Sequence, residues 1–174
     1  MAITIIGGTP GSGKTSLARL LSAGEPTAVH IEADVFFRFL AHRVDPSLPD
    51  ADSQNSVVVR AYVAAAREYS AGGYEVYLDG VVGPWWLPQI VSMVPDLRYV
   101  LLHAPLEVVL SRTEARTSQS SATPDVVIRM HEQFSKGVDR FRRHVIHTDG
   151  KSIEQVADEY RSGNRLGTYV LKEG

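Results

Sequence analysis

The residues best suited to chemistry stand near the amino terminus. Gly8-Thr9-Pro10-Gly11-Ser12-Gly13-Lys14-Thr15 satisfies the pattern G-x-x-x-x-G-K-[ST] at every constrained position. Glycines at this spacing let the backbone wrap an anion with its amides turned inward, and a helix starting at Lys14 adds the positive end of its dipole. The segment from Gly8 to Ser16 would then form a phosphate cradle. In it, Lys14 would bridge the β- and γ-phosphates of a nucleoside triphosphate, and the Thr15 hydroxyl would hold Mg²⁺. The bland alternative is an ordinary glycine-rich turn between a strand and a helix.

Such a cradle needs a buried strand before it and an apolar-periodic helix after it. Residues 2–6 are β-branched and run into Gly7-Gly8, as a strand entering a turn does. Leu17, Leu20 and Leu21 then recur at helical spacing until Gly24. Further strands are expected at 27–31, 74–78, 97–103 and 144–147. Helices are expected at 34–42, over the Val59, Tyr62, Val63, Ala66 and Tyr69 periodicity, after Pro105, and after Thr123-Pro124. A shorter one fits 84–93, although Pro88 disfavours it. Residues 44–52, with Pro46 and Pro49, read as a loop, and Ser152-Ile153-Glu154-Gln155 has the form of a capping box opening a last helix. Strands alternating with helices predict an α/β domain spanning 1–174, built on a parallel sheet with helices on both faces.

With these features in place, the chain resembles the small P-loop kinases, a group that includes chloramphenicol phosphotransferase, gluconate kinase, shikimate kinase, zeta toxins and nucleoside monophosphate kinases. The resemblance rests on the P-loop, on Ile31-Glu32-Ala33-Asp34-Val35-Phe36-Phe37-Arg38, on Leu78-Asp79-Gly80, on Arg112 with Arg116, and on the late strand running to Asp149. It implies a three-layer P-loop NTPase fold, with a five-stranded parallel sheet of order 2-3-1-4-5 and a small lid near 112–124. It also implies an ATP-dependent phosphotransferase that delivers the γ-phosphate to a small-molecule hydroxyl.

In the similar kinases the residue matching Asp34 faces the acceptor hydroxyl and accepts its proton; a helix N-cap is the competing role. Arg38, one turn later, would hold a polar or anionic part of the acceptor or would be a solvated helix charge. Asp79 matches the acidic strand end that steadies Mg²⁺ and its waters; otherwise it is the first residue of an Asp-Gly turn. The Pro-Arg that follows in nucleoside monophosphate kinases is replaced here by Val81-Val82-Gly83-Pro84. By the same resemblance Arg112 stacks on adenine, Arg116 belongs to a closing lid that brings positive charge to the transition state, and Asp149 lies in the loop flanking adenine. Arg112 and Arg116 could equally be solvated charges answering a helix dipole. Phe36, Phe37, Phe39, Trp85 and Trp86 line an acceptor pocket or belong to the core; Phe37 and Trp85 are the candidates for acceptor contact.

Composition narrows the field. Of 174 residues, 18 are basic and 20 acidic, a net charge of -2, so no cationic excess is available to neutralise a nucleic-acid backbone and no nucleic-acid partner is expected. The absence of cysteine excludes thiolate metal sites, disulfides and cysteine nucleophiles. No apolar run suits a membrane span and the first residues do not form a secretory signal, so a cytoplasmic monomer or homodimer is expected. The histidines form no metal pattern, no G-x-S-x-G elbow occurs, and no Asn-Lys-x-Asp guanine reader is present. The chain is short for an AAA-type motor, and the downstream motifs of gluconate or shikimate kinases are missing. Two other readings stay open: a nucleoside monophosphate kinase using Arg38 and Arg60, and a non-catalytic module gated by nucleotide.

Overall fold

A computed structural model of the chain describes residues 1–115 and 122–171. Its five strands are β1 (Ile3–Gly8), β2 (Ala28–Glu32), β3 (Glu75–Asp79), β4 (Leu97–His103) and β5 (Val145–His147). They form one sheet of order β2-β3-β1-β4-β5 with every neighbouring pair parallel, as expected from the resemblance. Its helices are α1 (Lys14–Ala23), α2 (Ala33–Phe36), α3 (Asp52–Ala71), α4 (Leu87–Val91), α5 (Leu106–Glu114), α6 (Pro124–Val138) and α7 (Ile153–Arg165).

β1 is buried along its whole length because it lies at the centre, with β3 on one side and β4 on the other. Side chains alternate across a strand. Ile3, Ile5, Leu78, Tyr99 and Leu101 therefore pack on one face with Val59, Tyr62 and Val63 of α3, Ile90 of α4, and Met130 and Phe134 of α6. Ile6, Tyr77, Val100, Leu102 and Ile146 pack on the other with Leu17, Ala18 and Leu21 of α1 and Val156, Ala157 and Tyr160 of α7. Two helical layers enclose the sheet. A smaller cluster of Ala104, Val109 and Val127 joins α5 to α6 beyond the end of β4.

All the strands being parallel, their carboxyl ends meet on one rim, the usual place for ligands in such sheets. Gly8, Glu32, Asp79, His103 and His147 end the five strands there.

Two elements differ from the sequence expectation, and the loop expected at 44–52 ends in a 3₁₀ turn over Pro49–Ala51 that runs into α3 at Asp52. The helix expected at 34–42 is one α-turn that tightens into a 3₁₀ turn over Phe37–Phe39 and gives way to extended backbone at Leu40. Four large apolar side chains between Phe36 and Leu40 cannot all turn inward from one short helix. Phe36 packs edge-on against Tyr62, while Phe39 stays 74% exposed. The 84–93 stretch is a 3₁₀ turn, Pro84–Trp86, followed by α4, and Pro88 sits in the first turn of α4, where its missing N–H is not needed. The capping box of α7 forms as read: the Ser152 hydroxyl accepts from the Gln155 N–H, and the Gln155 side chain accepts from the Ser152 N–H.

Candidate active site

The P-loop leaves β1 at Gly8 and delivers the chain into α1. Gly11 has φ +85° and its Cα faces α5 so closely that a Cβ would lie 2.5 Å from the Val109 carbonyl oxygen and 2.7 Å from Thr113 Oγ1. Gly13, the N-cap of α1, has φ +100°, with nothing within 4 Å of where a Cβ would stand. The first requires glycine for space and conformation, the second for conformation alone. Ser12 N–H donates to the Thr9 carbonyl at 3.1 Å, tightening the turn. The first turn of α1 carries no acidic side chain of its own, so its amide end is open to an anion held by the loop. Lys14 is buried at 7% exposure and its Nζ donates to the Thr9 carbonyl at 2.9 Å, folding the ammonium back over the loop.

Directly behind the loop, Thr15 and Asp79 meet. The Thr15 hydroxyl donates to Asp79 Oδ2 at 2.6 Å, and His30 Nε2 lies 2.6 Å from Oδ1. Asp79 is only 4% exposed, so both oxygens of a buried carboxylate are partnered, as the cost of burying such a group demands. A hydroxyl and a carboxylate beside a phosphate cradle form an oxygen donor set suited to a hard cation such as Mg²⁺. Among the described residues, no cluster of three or more His, Cys, Asp or Glu side chains could hold a metal by itself, so any cation here would draw its remaining ligands from phosphate and water.

Asp34 lies in the single turn of α2, just past the end of β2. The N-cap position belongs to Glu32, and no side chain caps the helix. Instead Asp34 Oδ1 reaches across to the Val81 N–H at 3.5 Å, in the loop after β3. Residue 34 is open to water along one side, yet protein crowds its carboxyl group. Loss of hydration there raises the pKa above the ordinary carboxylate value. Asp79 and Glu32 push the same way, while the Lys14 charge and the Val81 N–H oppose them. The water on its open side limits the size of the effect but not its direction.

On the far side of the loop, Arg112 donates from Nη1 to Thr148 Oγ1 at 3.1 Å and from Nη2 to the Thr148 carbonyl at 2.9 Å. Thr148 in turn donates to the Ser12 carbonyl at 3.2 Å. This chain of bonds ties α5 and the loop after β5 to the P-loop, around a recess of ≈ 150 Å³ lined by Gly13, Ser16, Arg112, Thr148, Lys151 and Ile153. Asp149 is exposed in the same loop. Arg116 and the middle of the expected lid, residues 116–121, lie outside the described residues; Arg112, at the near end of that lid, is part of α5, and Pro124, at its far end, opens α6.

The structure divides the aromatic residues. Phe36, Phe37 and Trp86 pack against the core, whereas Trp85 is 43% exposed, its ring tilted 57° against Phe134 of α6 at 5.1 Å. Arg38 is exposed in the 3₁₀ turn, and Arg60 is exposed on α3, where it donates to Ser56 at 2.9 Å. Sequence reasoning missed His30 and Lys151, and gave Thr148 no role beyond its place in the loop 147–150 expected to flank adenine. Lys151 directly follows that loop, whose order pointed to the nucleotide. His30 gave no signal, because its partner is 49 residues away and only strand register joins them.

Comparison with known proteins agrees with this architecture. The family model described as an AAA domain matches residues 3–141, from β1 past the end of α6. No curated protein sequence matches the chain. A sugar kinase from Janibacter sp. HTCC2649 superposes with a TM-score of 0.68 at 17% identity, covering 97% of this chain and 95% of that one. A gluconokinase from Sinorhizobium meliloti 1021 gives 0.66 at 18%, covering 95% and 93%. The tunicamycin resistance protein of Deinococcus radiodurans gives 0.64 at 22%, covering 99% and 100%. The chain spans 45% of the length of the chain it matches in the Pnkp1/Rnl/Hen1 RNA repair complex. The fold is one this chain shares with small P-loop kinases.

Proposed function

This chain belongs to the AAA domain family, and from that premise we propose that it is an ATP- and Mg²⁺-dependent phosphotransferase acting on a hydroxyl of a small molecule. The observation that carries the reading is the meeting, on one rim of the sheet, of a complete P-loop, the Thr15–Asp79 oxygen pair and the Asp34 carboxylate, which bonds the Val81 N–H and lies within the field of Lys14.

The roles follow from charge. The P-loop amides and Lys14 hold the β- and γ-phosphates, and the amino end of α1 adds to their field. Mg²⁺, held through Thr15 and Asp79, would neutralise phosphate charge when bound with the nucleotide. Asp34 accepts the proton of the acceptor hydroxyl as its oxygen bonds to the γ-phosphorus. The bond from that phosphorus to the bridging oxygen breaks, and ADP leaves. A carboxylate whose proton affinity is raised by crowding is a better base than one in water. Arg112, fixed on Thr148, borders the recess, which this reading assigns to the nucleobase; Asp149 follows Thr148 in the same loop, and Arg116 is assigned to the lid. For the acceptor, the exposed Arg38, four residues after Asp34, and the exposed Trp85, in the turn after β3, are the contacts this reading assigns; Phe37, packed against the core, would support that side from beneath.

The test is ADP formation over a panel of sugars, nucleosides, nucleoside monophosphates and larger apolar alcohols. Turnover that depends on one class of neutral alcohol supports the reading. Tight ATP binding with no acceptor-dependent turnover would leave only a nucleotide-binding module.

A further inference from the structure

His30 belongs to no motif, yet its geometry ties it to the cation site. β2 and β3 are parallel, with His30 opposite Tyr77 and Glu32 opposite Asp79. Side chains two apart on a strand share a face, so His30 and Asp79 lie on the same side of the sheet, one step apart on the diagonal, under the first turn of α1. Nε2 of His30 lies 2.6 Å from Asp79 Oδ1, and an ionised carboxylate can only accept, so the imidazole donates. The other oxygen, Oδ2, takes the proton of the Thr15 hydroxyl. Each carboxylate oxygen therefore has one fixed donor, and the carboxylate plane is set from both sides. Thr15 has a single proton, and committing it to Asp79 leaves both of its lone pairs for a cation.

We propose that His30 is a positioning residue for the cation of the nucleotide site: its Nε2–H pins the Asp79 carboxylate so that Asp79 orients Thr15 toward Mg²⁺. The inference rests on the ATP and Mg²⁺ reading above and deepens it. Groups that hold a metal ligand in place set its orientation, and their loss typically weakens metal affinity about tenfold to a hundredfold; Asp79 stands in that relation to Thr15, and His30 acts through Asp79. A hydrogen bond that only stabilised the sheet edge would alter the melting temperature and leave the Mg²⁺ dependence alone.

The experiment titrates Mg²⁺ against a fluorescent, non-hydrolysable ATP analogue bound to the whole chain, for wild type, His30→Ala, His30→Phe and His30→Gln. Phe fills the imidazole's space without a donor and serves if the alanine variant does not fold; Gln restores an N–H of similar reach. The expected result is a rise approaching tenfold in the Mg²⁺ concentration for half-maximal binding in the variants lacking a donor, the low end of the range for a direct partner of a metal ligand. Affinity measured in EDTA should move less than twofold, and Gln should recover most of the loss. An unchanged Mg²⁺ midpoint in Ala or Phe overturns the inference, as does a Gln variant no better than Phe. Should wild type bind the analogue with no Mg²⁺ dependence, the metal reading itself fails and His30 loses this role with it.

Discussion

Asp34→Asn separates chemistry from binding more cleanly than any other change in this site. The amide has the size of the carboxyl group, and its oxygen can keep the 3.5 Å contact with the Val81 N–H, so the turn of α2 should persist. What disappears is a charge and a proton acceptor. A positioned general base contributes roughly 10²–10⁴ in rate, which at about 1.36 kcal/mol per decade amounts to roughly 3–5 kcal/mol of barrier. Acceptor-dependent ADP formation should fall by that factor. ATP affinity should hold or tighten, because Asp34 is an anion acting on Lys14 and its removal frees that field for phosphate. Stability should also hold or rise at neutral pH. The folded-state pKa of Asp34 is raised, so the native protein binds this proton more tightly than the unfolded chain does; native stability is favoured as pH falls and eroded as pH climbs through the folded pKa, and asparagine carries no such erosion. For the same reason the acid limb of the wild-type rate profile should lie above the range of an ordinary carboxylate. The assays are a coupled ADP assay from pH 5 to 9, a titration with an ATP analogue, and a melting curve at pH 8. Full turnover in the variant would refute a role as base, and a fall in melting temperature with weakened ATP binding would make Asp34 a structural residue.

Lys14→Ala should weaken ATP binding by roughly tenfold to a hundredfold, as expected for a lost charge-assisted hydrogen bond, and lower turnover with it; equal ATP affinity by calorimetry would remove Lys14 from the cradle. Gly11→Ala should abolish nucleotide binding and cost about 1–2 kcal/mol for the left-handed backbone alone, with more from the 2.5 Å approach of its Cβ to the Val109 oxygen; a variant with the wild-type denaturation midpoint would contradict the described path of the loop. Acidification should destabilise the protein. Burial lowers the His103 pKa, the neighbouring His131 and His147 lower it further while Asp149 opposes them, and burial likewise lowers that of His144. Stability is therefore present above the ordinary histidine pKa of 6.5 and lost as pH falls through it toward the depressed folded values. The melting temperature should drop between pH 7 and 5.5 and His103→Gln should flatten that slope; an identical slope in the variant would clear His103 of the effect.

The sequence by itself determined what local chemistry dictates. The P-loop is legible because its glycines, lysine and threonine are contiguous and each type is demanded by backbone geometry or charge. The strand-helix alternation is legible because periodicities of two and near four leave their mark on apolar residues, and with the resemblance it carried the sheet order. The capping box of α7 could be read for the same reason, being four residues long. Tertiary structure decided everything that depends on register and on which side chain wins a crowded place. Asp34 could have been a cap, and only the approach of the β3 loop gives it the Val81 N–H. Phe37 and Trp85 carried the same apolar signal, and only the packing of α3 and α6 places one against the core and leaves the other at the surface. His30 was silent in the sequence because its meaning lies in a carboxylate on the neighbouring strand, and hydrogen bonds between strands join residues that the chain itself keeps far apart.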